Sequence, residues 1–316
     1  MTTPALLAVL AALLYGTSDF STGLASRSLP LLTATKVSYG AAVFVMAIAL
    51  VGTGGEWSAA AALWGAAAGL CAVLGLLTFY AALARGPMSI ASPLIAMLSS
   101  VVPVVVALIA GDHLVWWAWP AIMVAIGAGV LLAAEHPEAS LRIDRQTVLL
   151  SITAGCALGL SIVALNATPK AARLVPGLCE MAVGLALLIG YSACAKLWSA
   201  GATKAPRVVK PTGPGVTAQP AGPVSTADPT LIAARTAPRS LDLLLATGGG
   251  ALVGGGNALA ITALHNGSLA VVGVLISLYP VATITLAHLV LKERLARLQL
   301  AGVALALTAA ATLAFS

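Results

Sequence analysis

Charge is what this sequence has least of. Asp, Glu, Lys and Arg make up 8% of the 316 residues, where a soluble domain carries about a quarter. With 60% hydrophobic residues and a mean hydropathy of +1.02, too little polar surface remains to cover a water-soluble globule of 31.4 kDa. That shortage excludes a cytosolic enzyme, an extracellular disulfide scaffold and a disordered chain. Cysteine is scarce too. Cys71, Cys156, Cys179 and Cys194 fall inside apolar runs without metal-type spacing, and read as small buried hydrophobes. Catalytic signatures are missing: there is no Gly-x-x-x-x-Gly-Lys-Ser/Thr loop, no His-Glu-x-x-His, no Cys-x-x-Cys and no Gly-x-Ser-x-Gly elbow. Neither ATP-driven pumping by this chain alone nor hydrolytic chemistry is expected. The expectation is no enzyme, no catalytic residue, no metal and no cofactor, with the Glu135-His136-Pro137-Glu138 cluster read as a solvated loop. The net charge of +6 and pI near 9.4 would suggest nucleic acid in a soluble chain. Here basic residues belong to loops and set topology, so no nucleic-acid partner is expected.

What the sequence has is length without charge. Apolar runs occupy residues 5–24, 33–52, 59–83, 88–110, 114–134, 147–167, 174–196, 241–263, 268–290 and 297–315. Each is long enough to cross a bilayer as helix, and their continuity argues against alternating barrel strands. The first run begins without the basic n-region of a secretory signal, so it reads as a retained span. Residues 199–240 hold seven of the 17 prolines and five Lys/Arg, the composition of a mobile linker.

A repeat divides the chain elsewhere. Laid ungapped at an offset of 181, residues 80–114 and 261–295 share seven identities in 35 positions, including Gly86 with Gly267, and they superpose Asp112 on Glu293. The division therefore falls at the charged stretch Glu135 to Arg145. Residues 1–134 form a first five-helix repeat, 135–146 a connecting loop, and 147–316 a second repeat containing the linker. Five spans is an odd number, so the two copies must lie inverted. The expected fold is an all-α integral membrane protein of ten transmembrane helices in two inverted five-helix repeats.

Chemistry in such a protein resides in groups that the bilayer penalises. Asp19 lies in the first run, and Tyr15, four residues before it, shares its helix face. The alternative is that Asp19 sits near the helix end and reaches water. Lys36 begins the second run, either pairing with Asp19 across the short connection or snorkelling to the headgroups. Glu180 lies about six residues into the seventh run, too deep to avoid the bundle interior. Asn257 follows Gly254-Gly255-Gly256 and offers an amide beside a close-packed backbone. Tyr15, Asp19, Lys36, Glu180 and Asn257 are the candidates for a substrate pathway or coupling site. A helix–helix contact is the simpler account of His288. Small-xxx-small spacing at Gly65/Gly69, Gly155/Gly159 and Gly250/Gly254 reads as helix packing, and Pro93, Pro103 and Pro280 as kinks.

These features resemble the drug/metabolite transporter superfamily, and within it the EamA-type ten-helix permeases. The residues that carry the likeness are Leu14-Tyr15-Gly16-Thr17-Ser18-Asp19, Ala82-Leu83 through Gly86-Pro87, Ser92-Pro93-Leu94 and Gly111-Asp112-His113-Leu114. In the second half they are Ala263-Leu264, Tyr279-Pro280-Val281 and Lys292-Glu293-Arg294-Leu295. The chain departs from the family at Lys36, where Arg is common, at Asp112 in place of Glu, and in its long linker. The resemblance implies a secondary transporter of small metabolites such as amino acids, exporting them across the cytoplasmic membrane by alternating access. Its partners would be a small-molecule substrate, protons as coupling ion, and the lipid bilayer. A non-transporting receptor or assembly factor, and a cation transporter, are the alternatives. Cargo, direction and oligomeric state are not encoded in any motif.

Orientation follows from charge. Fourteen of the 16 Lys/Arg lie in or beside the loops after runs 1, 3, 5, 7 and 9, leaving Lys170 and Arg173 on the other side. Positive residues stay cytoplasmic, so both termini are expected outside. With the four native cysteines replaced, Gly215→Cys should react with an impermeant maleimide only from the cytoplasmic face and Ser316→Cys only from outside. Reversed labelling of both would overturn the orientation.

Overall fold

Once water is withdrawn, a long apolar run must satisfy its backbone groups within itself, and helix is the way a single run does so. The computed structural model describes residues 3–85, 88–112, 115–133, 145–202, 240–292 and 297–313. The Glu135–Glu138 cluster, Gly86, Glu293 and residues 203–239 of the linker lie outside the described residues. The helices are α1 (Thr3–Ala25), α2 (Leu31–Thr53), α3 (Ala59–Arg85), α4 (Met88–Ile109), α5 (Ala118–Ala133) and α6 (Arg145–Asn166). After a 3₁₀ turn at Lys170–Ala172 come α7 (Val175–Ala202), α8 (Ser240–Asn266), α9 (Leu269–Ser277), α10 (Pro280–Leu291) and α11 (Arg297–Leu313). No strand occurs among the described residues.

Seven segments are long and apolar enough to cross a membrane, one of them α9 and α10 taken together, while Leu94–Ile109, Ala118–Leu132 and Arg297–Leu313 are apolar but shorter. Large apolar side chains such as Phe44, Leu63, Ile109 and Leu307 are exposed around the bundle, as lipid-facing residues must be. The chain is a multi-pass, all-helical membrane protein.

Three expectations need correction. The ninth run is two helices, because Pro280 has no N–H to give the Ile276 carbonyl. The chain turns there through short i→i−3 bonds, Leu278 N to Leu275 O at 3.2 Å and Tyr279 N to Ile276 O at 3.1 Å. The fifth helix starts at Ala118, since Trp116 and Trp117 form a turn with their rings packed edge to face, 5.9 Å between centroids. Exposed tryptophans outside a span suit the membrane interface. The cysteines are not buried: Cys194 is exposed and the other three are half-buried, and a thiol is apolar enough to tolerate lipid.

Small residues set how the helices meet. α8 packs against both α1 and α2, α3 against both α6 and α7, α4 against α6 and α9, and α5 against α11. Each anticipated glycine pair lies at such a crossing. A Cβ on Gly65 or Gly69 would strike the backbone of α7 at Pro176 and Glu180. One on Gly155 or Gly159 would strike Leu98 and Val102 of α4, and one on Gly250 or Gly254 would strike α2 at Ser38 and Ala42. Gly273 of α9 meets the ring of Pro103, so that proline also serves packing.

The glycines are separable by experiment. Gly250→Ala, which drives a methyl into the Ser38 carbonyl, should destabilise the protein by about 3 kcal/mol, the upper range for overpacking. Gly190→Ala, with nothing within 4 Å of the added methyl, should be neutral or slightly stabilising. Thermal unfolding in detergent, followed by the loss of the monodisperse peak, distinguishes the two.

Candidate functional site

Glu180 stands on α7 with Gly177 three residues before it and Gly184 four residues after, so all three share a face. The glycines leave a notch on each side of the carboxylate. A Cβ at Gly184 would run into the ring of Tyr39 at 2.5 Å, and one at Gly177 would meet Met46 and Ile261 at 2.5 Å and the Asn257 amide at 3.4 Å. On α8, Gly256 lets the ring of Tyr15 lie 3.2 Å from where its Cβ would be, and this brings the phenol beside Asn257.

The outcome is a hydrogen-bonded chain between helices. Tyr15 Oη donates to Asn257 Oδ1 at 3.1 Å, and Asn257 Nδ2 donates to Glu180 Oε2 at 2.7 Å. Ser161 Oγ of α6 donates to Glu180 Oε1 at 3.3 Å. Glu180 is 5% exposed and Asn257 1%. Every donor in this chain points toward the carboxylate, the arrangement an ionised group requires. No ion pair reaches Glu180 among the described residues, so neutral donors alone offset its burial.

Asp19 lies one turn beyond Tyr15 on the same face of α1. Unlike Glu180 it is exposed, although Tyr39, Tyr80 and Tyr279 all lie within its electrostatic reach. Those three tyrosines are half-buried. The Tyr39 ring packs on Gly184 of α7, one turn from Glu180. Gly16 lets the break between α9 and α10 approach α1, where Thr283 Oγ1 donates to the Gly16 carbonyl at 3.0 Å.

The structure thus brings Tyr15, Glu180 and Asn257 into one network and places Asp19 a turn away. Lys36 is half-buried on α2 and makes no ion pair with Asp19 among the described residues, so the pairing considered from sequence is not formed. Two turns into its helix, its long side chain can reach the helix end. Asn257 bridges that network, its amide bonded to both Tyr15 and Glu180. Of Pro93 only its place within α4 is described, and Pro280 begins α10. Sequence reasoning missed Ser161, Tyr39, Tyr80 and Tyr279. The available signal was tyrosine in the interior of a span, since interfacial belts are its usual place. Four of the chain's five tyrosines are gathered here.

The loops after α2, α4, α6 and α8 are tied together. Arg173 donates to the Thr53 carbonyl, and Glu56 N to Ala171 O at 3.0 Å. Ser268 Oγ donates to Asp112 Oδ2 at 3.0 Å, and buried Thr168 and His265 are bonded at 2.7 Å. Thr168 also donates to the Leu165 carbonyl at 2.7 Å, so its single hydroxyl proton is used and His265 Nε2 is the donor to it.

The EamA-like transporter family matches residues 221–315, the stretch that holds α8 to α11. No curated protein matches the sequence. Among solved structures, a crystal structure described only as that of a protein is similar over 98% of this chain and 95% of its own, at 16% identity and a TM-score of 0.66. That likeness is one of fold. The resemblance read from the sequence motifs is supported by the family match in the second half and by a solved chain of matching size.

The network makes a stability prediction. Asn257→Leu strands both Tyr15 and Glu180 and should cost about 3 kcal/mol, the scale for an unsatisfied buried charged group. Adding Glu180→Leu should cost less than the sum of the two single changes, because the orphaned carboxylate is gone. Reversible unfolding in mixed micelles measures the coupling.

Proposed function

We propose that this chain, whose residues 221–315 match the EamA-like transporter family, is a non-enzymatic secondary transporter. It moves small metabolites, such as amino acids or related solutes, across the cytoplasmic membrane by alternating access, in the export direction. The observation that carries the reading is the polar column running from Glu180, Asn257 and Tyr15 to Asp19. Its groups come from helices of both halves of the chain, and transporter sites lie between such halves.

The ten-span inverted repeat, with residues 1–134 and 147–316 as its halves, belongs to this proposal. Its support is that the helix pairing survives exchange of each span for the one five along. The contact of α1 with α8 becomes that of α6 with α3, α2 with α8 becomes α7 with α3, and α4 with α6 becomes the α9–α10 pair with α1; each of these contacts is present. Gly69 and Gly250, equivalent at the 181-residue offset, likewise press on equivalent partners, α7 and α2.

Access is unequal at the two ends. The ties among the loops after α2, α4, α6 and α8 hold one end together, while Asp19, six residues before the end of α1, lies nearer the other. With both termini outside, the tied end is the outer one and Asp19 lies toward the cytoplasmic one, the arrangement of an exporter ready to load. Opening the other way requires breaking the Asp112–Ser268 and Thr168–His265 bonds. Glu180 is the coupling group: a proton on Oε1 would reverse the bond, Oε1 donating to the Ser161 hydroxyl, whereas one on Oε2 would face the Asn257 NH2, which can only donate, and break that bond. The network therefore has one bonding pattern for each protonation state, and a proton taken up outside and released inside can be exchanged for outgoing solute.

Reconstituted into liposomes, Glu180→Gln should lose the acceleration of solute flux by a pH gradient while still binding solute. Asp19→Asn should slow flux in both directions about tenfold, one factor of ten in affinity being about 1.4 kcal/mol. Full pH-driven flux in the Glu180→Gln protein would make Glu180 a structural carboxylate.

A further inference from the structure

The two ends of the bundle differ in how their polar groups are used. Among the described residues, three buried side-chain oxygens have no hydrogen-bond partner: Thr22 Oγ1, Thr147 Oγ1 and Asp242 Oδ2. Thr22 lies near the end of α1, Thr147 near the start of α6 and Asp242 near the start of α8. All three therefore belong to the end opposite the tied loops. Asp242 stands out, because it is a carboxylate and only 8% exposed. An acid in the first turn of a helix is ordinary, since the helix dipole favours it. A buried carboxylate oxygen with nothing to accept from is not.

Packing fixes what Asp242 lies beside. α8 runs antiparallel to α1 and parallel to α2: Gly256 and Gly249 meet Tyr15 and Thr22, while Gly254 and Gly250 meet Ala42 and Ser38. One turn nearer the start of α8, Ala246 joins Ala25, Leu29 and Ala34 in one apolar cluster. Asp242, four residues before Ala246, continues that stripe to the level of Leu29 and Pro30. The repeat gives the same place. α3 and α8 coincide end to end at the 181-residue offset, and the counterpart of Asp242 is Ala61. Ala61 is sealed in a cluster with Ala172 and Val175, at the start of α7. The tied end thus has an alanine where this end has a carboxylate beside the start of α2. That helix begins on Pro30 with no side-chain cap. Its first backbone bonds run from Thr33 N and Ala34 N to Pro30 O, at 2.7 and 3.1 Å. The amides of Leu31 and Leu32 come before that ladder and are donors without a place in it.

We propose that Asp242 is the latch of the cytoplasmic end: when that end closes, its free oxygen accepts from the unused amides at the start of α2. The inference rests on the alternating-access reading and supplies bonds to offset those broken at the outer end. In the described state the latch is open, with acceptor and donors on neighbouring elements and unjoined. A hydrogen bond from a helix N-terminus to a carboxylate is charge-assisted, and so stronger than one between neutral groups. α2 also carries Tyr39 and Met46, which pack on Gly184 and Gly177 either side of Glu180. Drawing the start of α2 onto Asp242 therefore reaches the buried network, and Asp242 is a positioning residue.

The test reads the two conformations directly. Glu180 and Ser38 are the partners of Gly69 and Gly250, and eight residues before each lie Ala172, 1% exposed, and Pro30, exposed. Ala172 should therefore become accessible when the outer end opens. In full-length protein in right-side-out vesicles, with the native cysteines replaced, Ala172→Cys reports that opening by its rate with an impermeant maleimide. Asp242→Asn, which keeps the shape and removes the carboxylate, should slow labelling about tenfold, the population shift expected from losing one charge-assisted hydrogen bond. Pro30→Ser gives α2 a cap of its own, a hydroxyl that takes an amide of the first turn, and should slow labelling in the same direction. The double variant should be no slower than Asp242→Asn alone. If Asp242→Asn does not fold, Pro30→Ser decides the matter. Labelling unchanged or faster in either folded variant would overturn the latch, as would a double variant slowed by the product of the two. Counterflow of a radiolabelled amino-acid mixture separates this from the transporter reading. Shifted labelling without counterflow in the parent removes only transport, and counterflow with unshifted labelling removes only the latch.

Discussion

A carboxylate in the middle of a lipid-embedded bundle has to be given its hydrogen bonds by other helices, and much of this structure serves that requirement. Among the described residues no cation reaches Glu180, so α6 and α8 each bring a neutral donor to within bonding distance. Helices carry large side chains at their contacts only if their axes stay apart. Here the contacts are made by Gly65, Gly69, Gly155, Gly159, Gly250 and Gly254, and the axes close up until Ser161 and Asn257 reach the carboxylate. Gly177 and Gly184 then clear room on α7 for the groups that face it. Packing without a hydrophobic driving force, which in lipid depends on close van der Waals contact, and satisfaction of a buried charge are met by the same residues.

The break between α9 and α10 does a related job. Pro280 interrupts the ladder, Tyr279 is carried at the interruption, and Gly16 admits the break against α1 close to Asp19. Irregular backbone at membrane depth is tolerated where protein or a water-filled cavity covers it. Its position opposite the accessible carboxylate fits a site where a solute passes. The tied loops at the far end and the exposed Asp19 give the two ends different character, and this asymmetry is what an alternating mechanism would reverse.

Much was legible in the sequence for plain reasons. Low charge and continuous apolar runs dictate membrane-spanning helices, because no other structure satisfies their backbones. Glu180 and Asp19 stood out because ionisable groups are costly in such runs. The glycine pairs were readable because a spacing of four residues places both members on one helix face. The boundaries were less so. Trp116 and Trp117 are apolar yet lie outside α5, and α7 runs on to Ala202 past the end of its apolar run, since helix propensity and interface chemistry are not measured by hydropathy.

Composition and periodicity decided that this chain crosses a membrane in many helices, and that its few buried charges matter. Which charges meet was decided only by the tertiary structure. Tyr15, Ser161, Glu180 and Asn257 lie on four helices, and nothing in their spacing relates one to another. Lys36 was near Asp19 in sequence and yet does not pair with it. Tyr39 looked like an ordinary span residue until packing set its ring on Gly184, a turn from Glu180. Hydropathy acts residue by residue along the chain, whereas a hydrogen bond between helices depends on crossing angle and axial distance, which only the packed bundle sets.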